Sequence, residues 1–229
     1  MEKAMGKIMT AAAETRAAAG TMTNFRWKIA FLIFLISFVA YMDRVNLSVA
    51  TPVIMQEFGF TKIDMGFIQT CFFASYALMQ VPGGILAEKF GMRKTGALAI
   101  LWWSVFTALT ALAKGKISFA AVRLAFGLGE GPVFPSLGAA TFTWFNKHEK
   151  GKASSSILLG TFFGPVVGPV ATVALMGLFG WHAVFIIFGI VGIALAWVWH
   201  RFACDNPADS PMSMRKKPLT SMKAVRLTP

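Results

Sequence analysis

Long apolar stretches recur along the chain and are separated by short polar or glycine-containing segments. A transmembrane α-helix needs about 20 consecutive apolar residues, because each residue adds ~1.5 Å along the helix axis and the hydrocarbon core of a bilayer is ~30 Å thick. The predicted fold class is therefore an all-α membrane protein. The pattern predicts six transmembrane helices, over residues 27–50, 63–86, 95–113, 117–141, 153–177 and 181–203.

The six predicted helices divide into two triplets, 27–113 and 117–203. Because three crossings end on the opposite side of the membrane from where they began, the second triplet is inverted relative to the first. Two inverted three-helix repeats are common in secondary transporters. Sequence similarity between the two triplets is too weak to prove the repeat.

The predicted domain organisation is an N-terminal tail over residues 1–26, a transmembrane bundle over 27–203 and a C-terminal tail over 204–229. The Ala- and Met-rich residues 1–21 are interpreted either as a disordered tail or as an upstream, misassigned start, with Met22 as the true start. The C-terminal tail is basic and is expected to be disordered or the product of a frameshift.

Composition agrees with this interpretation. The chain is 56% hydrophobic and only 14% charged, which lies outside the range of soluble globular proteins. Its two cysteines, Cys71 and Cys204, lie far apart, in or beside apolar segments. We interpret them as small packing residues and not as a disulfide framework or a metal site.

The net charge of +12 could suggest nucleic-acid binding, but its distribution indicates membrane topology. Of the 22 Lys and Arg residues, 17 lie in the two tails and in the second and fourth loops, whereas the first, third and fifth loops hold three, Lys62, Lys114 and Lys116. Positive residues concentrate on the cytoplasmic side of membrane proteins. Both termini are therefore predicted to be cytoplasmic, in a multi-pass protein of the cell membrane, which in a bacterium is the inner membrane.

Charged residues inside the predicted helices are the strongest functional signal. Asp43 and Arg44 lie in the first predicted helix, and Arg123 and Glu130 lie in the fourth. A charge near the bilayer centre costs about 2.5–3.5 kcal/mol on insertion scales, so such residues usually mark a path for an ion or a polar substrate.

The spacing of these charges suggests how they meet. Arg123 and Glu130 are seven residues apart and share a helix face, with Gly127 between them. Asp43 and Arg123 are at similar predicted depth and can pair, either as a structural ion pair or as part of the mechanism. Glu130 is predicted near the midplane, where function is the better interpretation, since a carboxylate there could take up a proton.

Two further segments have distinctive patterns. The loop 83–94 contains the pattern Gly-x-Leu-x-acid-base-x-Gly-x-Arg-Lys, in which Arg93 is one of the basic residues. Glu88, the acidic residue, lies at a helix end, where it can pair with basic groups or with a helix N-terminus. In the segment 160–169, glycines recur every four residues, which is typical of close helix packing.

Catalytic and cofactor motifs are not recognised in the sequence. No nucleotide-binding loop or metal-ligand cluster is found, and no cofactor is predicted. The chain is therefore predicted not to be an enzyme, because Glu130 has no nucleophile or oxyanion donor arranged with it. Most tryptophans, including Trp103, are expected near helix ends in an aromatic belt.

Together, the segments 41–48, 83–94, 123–135 and 160–169 resemble the anion:cation symporter family of the major facilitator superfamily. The resemblance extends over residues 27–205. It implies a twelve-helix fold in two halves and the transport of sugar acids such as glucarate, galactonate and hexuronates, or of tartrate and phthalate. The family usually has Asp at the position of Glu88.

The resemblance also implies residue roles. Asp43 and Glu130 would be the protonatable, coupling carboxylates. Arg44 would attract the substrate carboxylate or steady Glu130, and Arg123 would pair with Asp43 until Asp43 is protonated.

Further roles in this family are expected for polar residues around these charges. Candidate substrate-binding or network residues are Tyr41, Asn46 and Gln80. Arg123, Glu88 and Arg93 are candidate structural or gating ion-pair residues.

The chain covers only the first six helices of such a transporter. A frameshift or premature stop near residues 205–212, or a truncation, would explain this. The predicted function is proton-coupled symport of an organic anion by alternating access, with protons, the anion and the lipid bilayer as partners and with the missing C-terminal half or a second copy completing the cavity. The alternative is a non-transporting half or a membrane assembly partner.

Overall fold

The computed structural model describes residues 25–206, in which every regular element is an α-helix. Predictions for residues 1–24, including a start at Met22, and for residues 207–229 lie outside the described residues. The helices are α1 (Phe25–Phe58), α2 (Lys62–Phe90), α3 (Met92–Thr110), α4 (Lys116–Glu130), α5 (Val133–Trp144) and α6 (Lys150–Phe202).

Local sequence signals explain where the helices begin and turn. Thr61 and Asp64 form a capping box at the start of α2, each side chain accepting the other's backbone N–H, at 3.2 and 2.9 Å. Gly91 separates α2 from α3 with a φ of 86°. Within α6, Gly180 has a φ of 80°, which only glycine adopts readily, and the chain reverses there. The two resulting arms of α6 are 150–179 and 181–202.

The predicted spans map onto these helices with one interruption. Within residues 25–206, four helical stretches are long and apolar enough to cross a membrane, and one of them, Lys116–Trp144, combines α4 and α5. The predicted span 117–141 is broken at residues 131–132, where Pro132 precedes α5. A fully helical bundle agrees with the predicted fold class, whereas the count of six membrane-spanning helices stays a prediction.

Three pairs of helices form the main contacts of the bundle: α1 with the first arm of α6, α2 with α4, and α3 with the second arm of α6. The first pair packs through the glycines of segment 160–169. A Cβ atom at Gly160 would lie 2.6 Å from Ser37 Cβ, and one at Gly164 would lie 2.7 Å from Phe38 O. The prediction of a close packing stripe is confirmed.

Both ends of the described chain lie at the same end of the bundle. The ring of Phe25 is 5.7 Å from the ring of Trp144 and 6.5 Å from that of Phe202. Arg26 and Glu149 form an ion pair of 2.8 Å at this end. An ion pair between Lys116 and Asp64 lies at the opposite end.

The loop between α2 and α3 is hydrogen-bonded to the C-terminal end of α6 and the residues that follow it. Asp205 Oδ1 accepts the backbone N–H of Arg93 at 2.9 Å, and Arg93 Nε donates to His200 O at 2.8 Å. Glu88 is exposed and forms no ion pair within residues 25–206. Asp205 supplies the carboxylate at the start of α3, and a pairing or capping role for Glu88 stays a prediction.

The predicted C-terminal tail starts at residue 204, but its first residues contact the bundle. Trp144 Nε1 donates to Cys204 O at 3.1 Å, and Asp205 packs against Gly91. The packed unit therefore extends at least to residue 205.

Candidate functional site

The interior of the bundle contains three almost fully buried charged side chains. Asp43, on α1, is 1% exposed, and Arg123 and Glu130, on α4, are 2% and 0% exposed. Arg44, next to Asp43, reaches the same region, with 15% of its side chain exposed. The structure therefore brings together the four charges that the sequence singles out.

Glu130 is paired with Arg44. Arg44 Nε donates to Glu130 Oε1 at 2.8 Å, which makes this a charge-assisted hydrogen bond across α1 and α4. Each partner keeps one buried atom, Arg44 Nη2 and Glu130 Oε2, that has no hydrogen-bond partner among the described residues. The pair could therefore accept a further charged or polar group.

Aromatic rings enclose the guanidinium of Arg44. Its Cζ atom lies 4.5 Å from the centroid of the Tyr41 ring and 4.3 Å from that of Tyr76, with Phe134 and Phe72 slightly further away at 5.6 and 5.7 Å. Such rings attract a cation through their faces and hold it in place. Tyr41 thus contacts the site through its ring.

Tyr76 was not singled out from the sequence, although a signal for it exists. It lies four residues before Gln80 on α2, so the two side chains share a helix face. Gln80 itself is half-buried and has no side-chain hydrogen bond within the described range.

Asp43 is held by neutral hydrogen-bond donors. Trp103 Nε1 donates to Asp43 Oδ2 at 3.0 Å, and Asn46 Nδ2 donates to Asp43 Oδ1 at 3.3 Å. Thr107 Oγ1 lies 3.4 Å from Asp43 Oδ2. Thr172 in turn donates to Asn46 Oδ1. Asn46 is therefore a network residue that connects α1 with the first arm of α6.

Arg123 does not form the predicted ion pair with Asp43. No carboxylate oxygen of residues 25–206 lies within 4.0 Å of its guanidinium, although it interacts electrostatically with Asp43 and Glu130. Its Cζ atom lies 5.1 Å from the Phe126 ring and 5.7 Å from the Phe185 ring. The hydrogen bonds that Asp43 accepts come instead from neutral donors on α1 and α3.

Trp103 also departs from its expected place. It is fully buried in the bundle and not part of an aromatic belt. Its contact with Asp43 joins residues 60 positions apart, on α1 and α3, so only the packing of the helices reveals it.

Comparison with known proteins identifies a family. Residues 33–229 match the sequence profile of the Major Facilitator Superfamily. A probable galactarate/D-glucarate transporter, GudP, of Bacillus subtilis (strain 168) is 36% identical over 191 residues, which cover 79% of this chain and 41% of that protein. The D-galactonate transporter of Escherichia coli O6:H1 is 34% identical over 176 residues, covering 77% of this chain and 41% of that protein.

The fold is also similar to that of a solved structure. A bacterial homolog of the human lysosomal transporter Spinster, in an inward-facing and unoccupied conformation, superposes with a TM-score of 0.73 over 81% of this chain and 44% of that one, at 21% identity. This similarity concerns the fold alone. The chain spans about two fifths of the length of the two curated relatives.

Proposed function

The chain belongs to the Major Facilitator Superfamily, and from that premise we propose that it forms the N-terminal six-helix part of a proton-coupled transporter of an organic anion, of the sugar-acid class. Two observations support the substrate class. Relatives of the chain are named as transporters of galactarate, glucarate and galactonate. The buried Arg44 offers the kind of group that binds a carboxylate.

The pattern of helix contacts supports two inverted repeats. In such repeats, the first, second and third spans correspond to the fourth, fifth and sixth. The contact between α1 and the first arm of α6 (spans one and five) then corresponds to the contact between α4 and α2 (spans four and two). The contact between α3 and the second arm of α6 (spans three and six) corresponds to itself under the repeat. These are the three main contacts of the bundle.

The proposed orientation has both termini in the cytoplasm. Phe25 and Phe202 lie at the same end of the bundle, as an even number of crossings requires. The second and fourth loops, which carry Lys and Arg residues, meet the described chain ends there through Arg93 and Glu149. The positive-inside rule makes this end cytoplasmic.

The observation that carries the substrate proposal is the incomplete pairing of Arg44. Its Nε is used by Glu130, whereas its buried Nη2 has no partner among the described residues. A guanidinium can bind two oxygens side by side, so a substrate carboxylate can occupy the second position. Tyr41 and Tyr76 would hold the guanidinium plane, and Gln80 and Asn46 remain candidates for contacts with substrate hydroxyls.

Protons would act on the two buried carboxylates. When Glu130 is protonated, it no longer competes for Arg44 as an anion, and the arginine becomes available to the substrate. When Asp43 is protonated, its attraction to Arg123 is lost. Both changes remove charge from the interior, and this favours rocking of the bundle against its partner half around the bound anion.

Glu130→Gln tests the coupling. In vesicles that contain the intact transporter, with the C-terminal half supplied, uptake of labelled galactarate driven by a pH gradient should be lost, because glutamine cannot bind and release a proton. Binding or exchange of galactarate should remain. Glu149→Gln is the matched control, because Glu149 pairs with Arg26 at the bundle end and should leave uptake unchanged.

Full pH-driven uptake by Glu130→Gln would contradict the proposal. The same assay on the 229-residue chain alone addresses the alternative class. Uptake by the chain alone would indicate that two copies rebuild a cavity. Binding of galactarate to the chain without uptake would agree with a half that needs its C-terminal partner, whereas the absence of both binding and uptake would favour a non-transporting half or an assembly partner.

A further inference from the structure

The partners of Asp43 differ in what they can do when the carboxylate gains a proton. The Trp103 indole and the Asn46 side-chain nitrogen can only donate hydrogen bonds. Both are therefore matched to the ionised carboxylate, which only accepts. A protonated Asp43 carries one O–H group, which needs an acceptor.

In the orientation that the structure shows, Asn46 does not supply that acceptor. Its amide oxygen, Oδ1, already accepts the hydroxyl of Thr172, and this bond sets the orientation of the amide. The nitrogen of the amide consequently faces Asp43 Oδ1, at 3.3 Å. Rotating the amide would turn Oδ1 toward Asp43 only if Thr172 changed from donor to acceptor at the same time.

Thr107 is different because its hydroxyl has two acceptors within reach and a single hydrogen. The oxygen lies 3.1 Å from Trp103 O and 3.4 Å from Asp43 Oδ2. Good O–H···O bonds measure about 2.5–3.0 Å, so the hydrogen is better placed on the nearer acceptor, Trp103 O. A lone pair of the Thr107 oxygen then faces the carboxylate.

We propose that Thr107 is the positioning residue that accommodates protonated Asp43. A proton from water binds to Asp43 Oδ2, whose charge changes from −1 to 0, and the new O–H donates to Thr107 Oγ1. Thr107 keeps its own hydrogen on Trp103 O, so no other covalent bond changes. The proposal rests on the proposed function, in which Asp43 is a proton site.

Other charged groups face Asp43 but do not replace this acceptor. Arg123 and Glu130 approach from α4, and Arg44 lies next to Asp43 on α1. They influence protonation electrostatically, whereas Thr107 is the hydroxyl partner of Asp43 among the described residues, and a hydroxyl can accept without a change in side-chain orientation.

Infrared titration of the 229-residue chain in lipid nanodiscs tests the proposal without any transport assay. The C=O band of protonated Asp43 is identified by its absence in Asp43→Asn and followed with pH. In Thr107→Val, the pH at which half of Asp43 is protonated should fall by about 0.5–1 unit, because the neutral form loses one hydrogen bond. Thr107→Ser, which retains the hydroxyl, should titrate like the original chain.

Thr110→Val is the matched control. Thr110 is also buried on α3 and donates to a carbonyl four residues earlier, Phe106 O, but does not reach Asp43. It should leave the titration unchanged. If Thr107→Val does not fold, Thr107→Ala should show the same fall.

Two results would refute the role of Thr107 but leave the proposed function standing. One is an unchanged titration midpoint in Thr107→Val. The other is a rise in that midpoint, since a rise means that the hydroxyl stabilises the ionised carboxylate as a donor. Complete absence of a titrating Asp43 band in the original chain would refute proton binding at Asp43, and with it both this proposal and that part of the proposed function.

Discussion

Glu130 and Asp43 are both buried carboxylates in the same bundle, but they are held in opposite ways. Glu130 is paired with a cation, Arg44, and each member of the pair retains a buried atom without a partner among the described residues. Asp43 is held by neutral donors on both of its oxygens. A charged pair with unused atoms can exchange partners with a substrate, whereas a carboxylate held by neutral donors responds mainly to a proton.

The two carboxylates also connect different helices. The Glu130 pair joins α1 to α4, while Asp43 joins α1 to α3 and, through Asn46, to the first arm of α6. The comparison therefore separates the position proposed for substrate exchange from a position that connects helices.

Removing Arg44 should cause the largest loss of stability. A small loss would contradict the view that Glu130 depends on a cation, whereas Asp43 depends on neutral donors. Arg44→Gln leaves Glu130 buried without its hydrogen-bonded cation, and breaking a buried ion pair costs about 3–5 kcal/mol. The double variant Arg44→Gln/Glu130→Gln should recover most of that stability, because no unpaired charge remains. Unfolding of the purified chain in detergent and denaturant measures both.

Failure of the double variant to recover stability would mean that Arg44 stabilises the bundle through its aromatic contacts and not through Glu130. A control is Arg26→Gln, because Arg26 forms the pair with Glu149 at the bundle end. Partly exposed pairs contribute at most about 1 kcal/mol, so this variant should have a small effect.

Trp103→Phe should have an intermediate effect, because the variant removes a donor to a charged acceptor. Such hydrogen bonds contribute about 1.5–3 kcal/mol, and the smaller ring adds a packing loss. The neighbouring Trp102→Phe is the control. Trp102 is 49% exposed and donates to the neutral Ala125 O, so its loss should cost about 1 kcal/mol or less.

Equal losses of stability in the two tryptophan variants, measured by denaturant unfolding, would show that Asp43 gains nothing from the indole of Trp103. A larger loss in Trp103→Phe would support the view that neutral donors fasten α3 to α1.

Two glycine substitutions should cause the smallest losses of stability. They test whether the two carboxylate sites are independent, because each substitution disturbs the surroundings of one carboxylate. A Cβ atom at Gly164 would lie 2.7 Å from Tyr41 Cβ, and one at Gly192 would overlap the side chain of Ser104, the residue that follows Trp103 on α3. Each substitution by alanine should cost about 1–3 kcal/mol. Gly177→Ala, where no neighbour lies within 4 Å, should be neutral or slightly stabilising.

The informative readout for these variants is their selectivity. Gly164→Ala should weaken galactarate binding, because Tyr41 lies against Arg44, and should leave the infrared band of Asp43 in place. Gly192→Ala should have the opposite pattern. A common effect of both variants on both readouts would mean that the two sites are not separable.

The charged residues of the site could be predicted from the sequence, because a charge in an apolar stretch is visible without knowing the fold. Asp43, Arg44 and Glu130 were found this way. Their partners could not be found, since Trp103 and Tyr76 are apolar or amphipathic residues on other helices, and only helix packing determines which of them face the charges.

Depth along a helix was similarly insufficient to predict pairing. The similar depth of Asp43 and Arg123 predicts an ion pair, but no such pair is present among the described residues, and neutral donors on α1 and α3 hold the carboxylate. Hydrophobicity alone predicts a continuous fourth span, whereas the helix breaks at Gly131 and Pro132. The spacing of the glycines in segment 160–169 is sufficient to predict close packing, because it specifies a smooth helix face.

The fastening of the loop between α2 and α3 has a consequence for biosynthesis. The N-terminus of α3 is capped by Asp205, a residue that leaves the ribosome 112 residues after Arg93. Until residues 200–205 are synthesised, the N-terminus of α3 lacks this cap, and the Arg93 side chain lacks its hydrogen bond to His200 O. The contacts between the loop after α2 and the end of α6 can therefore form only after the sixth predicted helix has been synthesised.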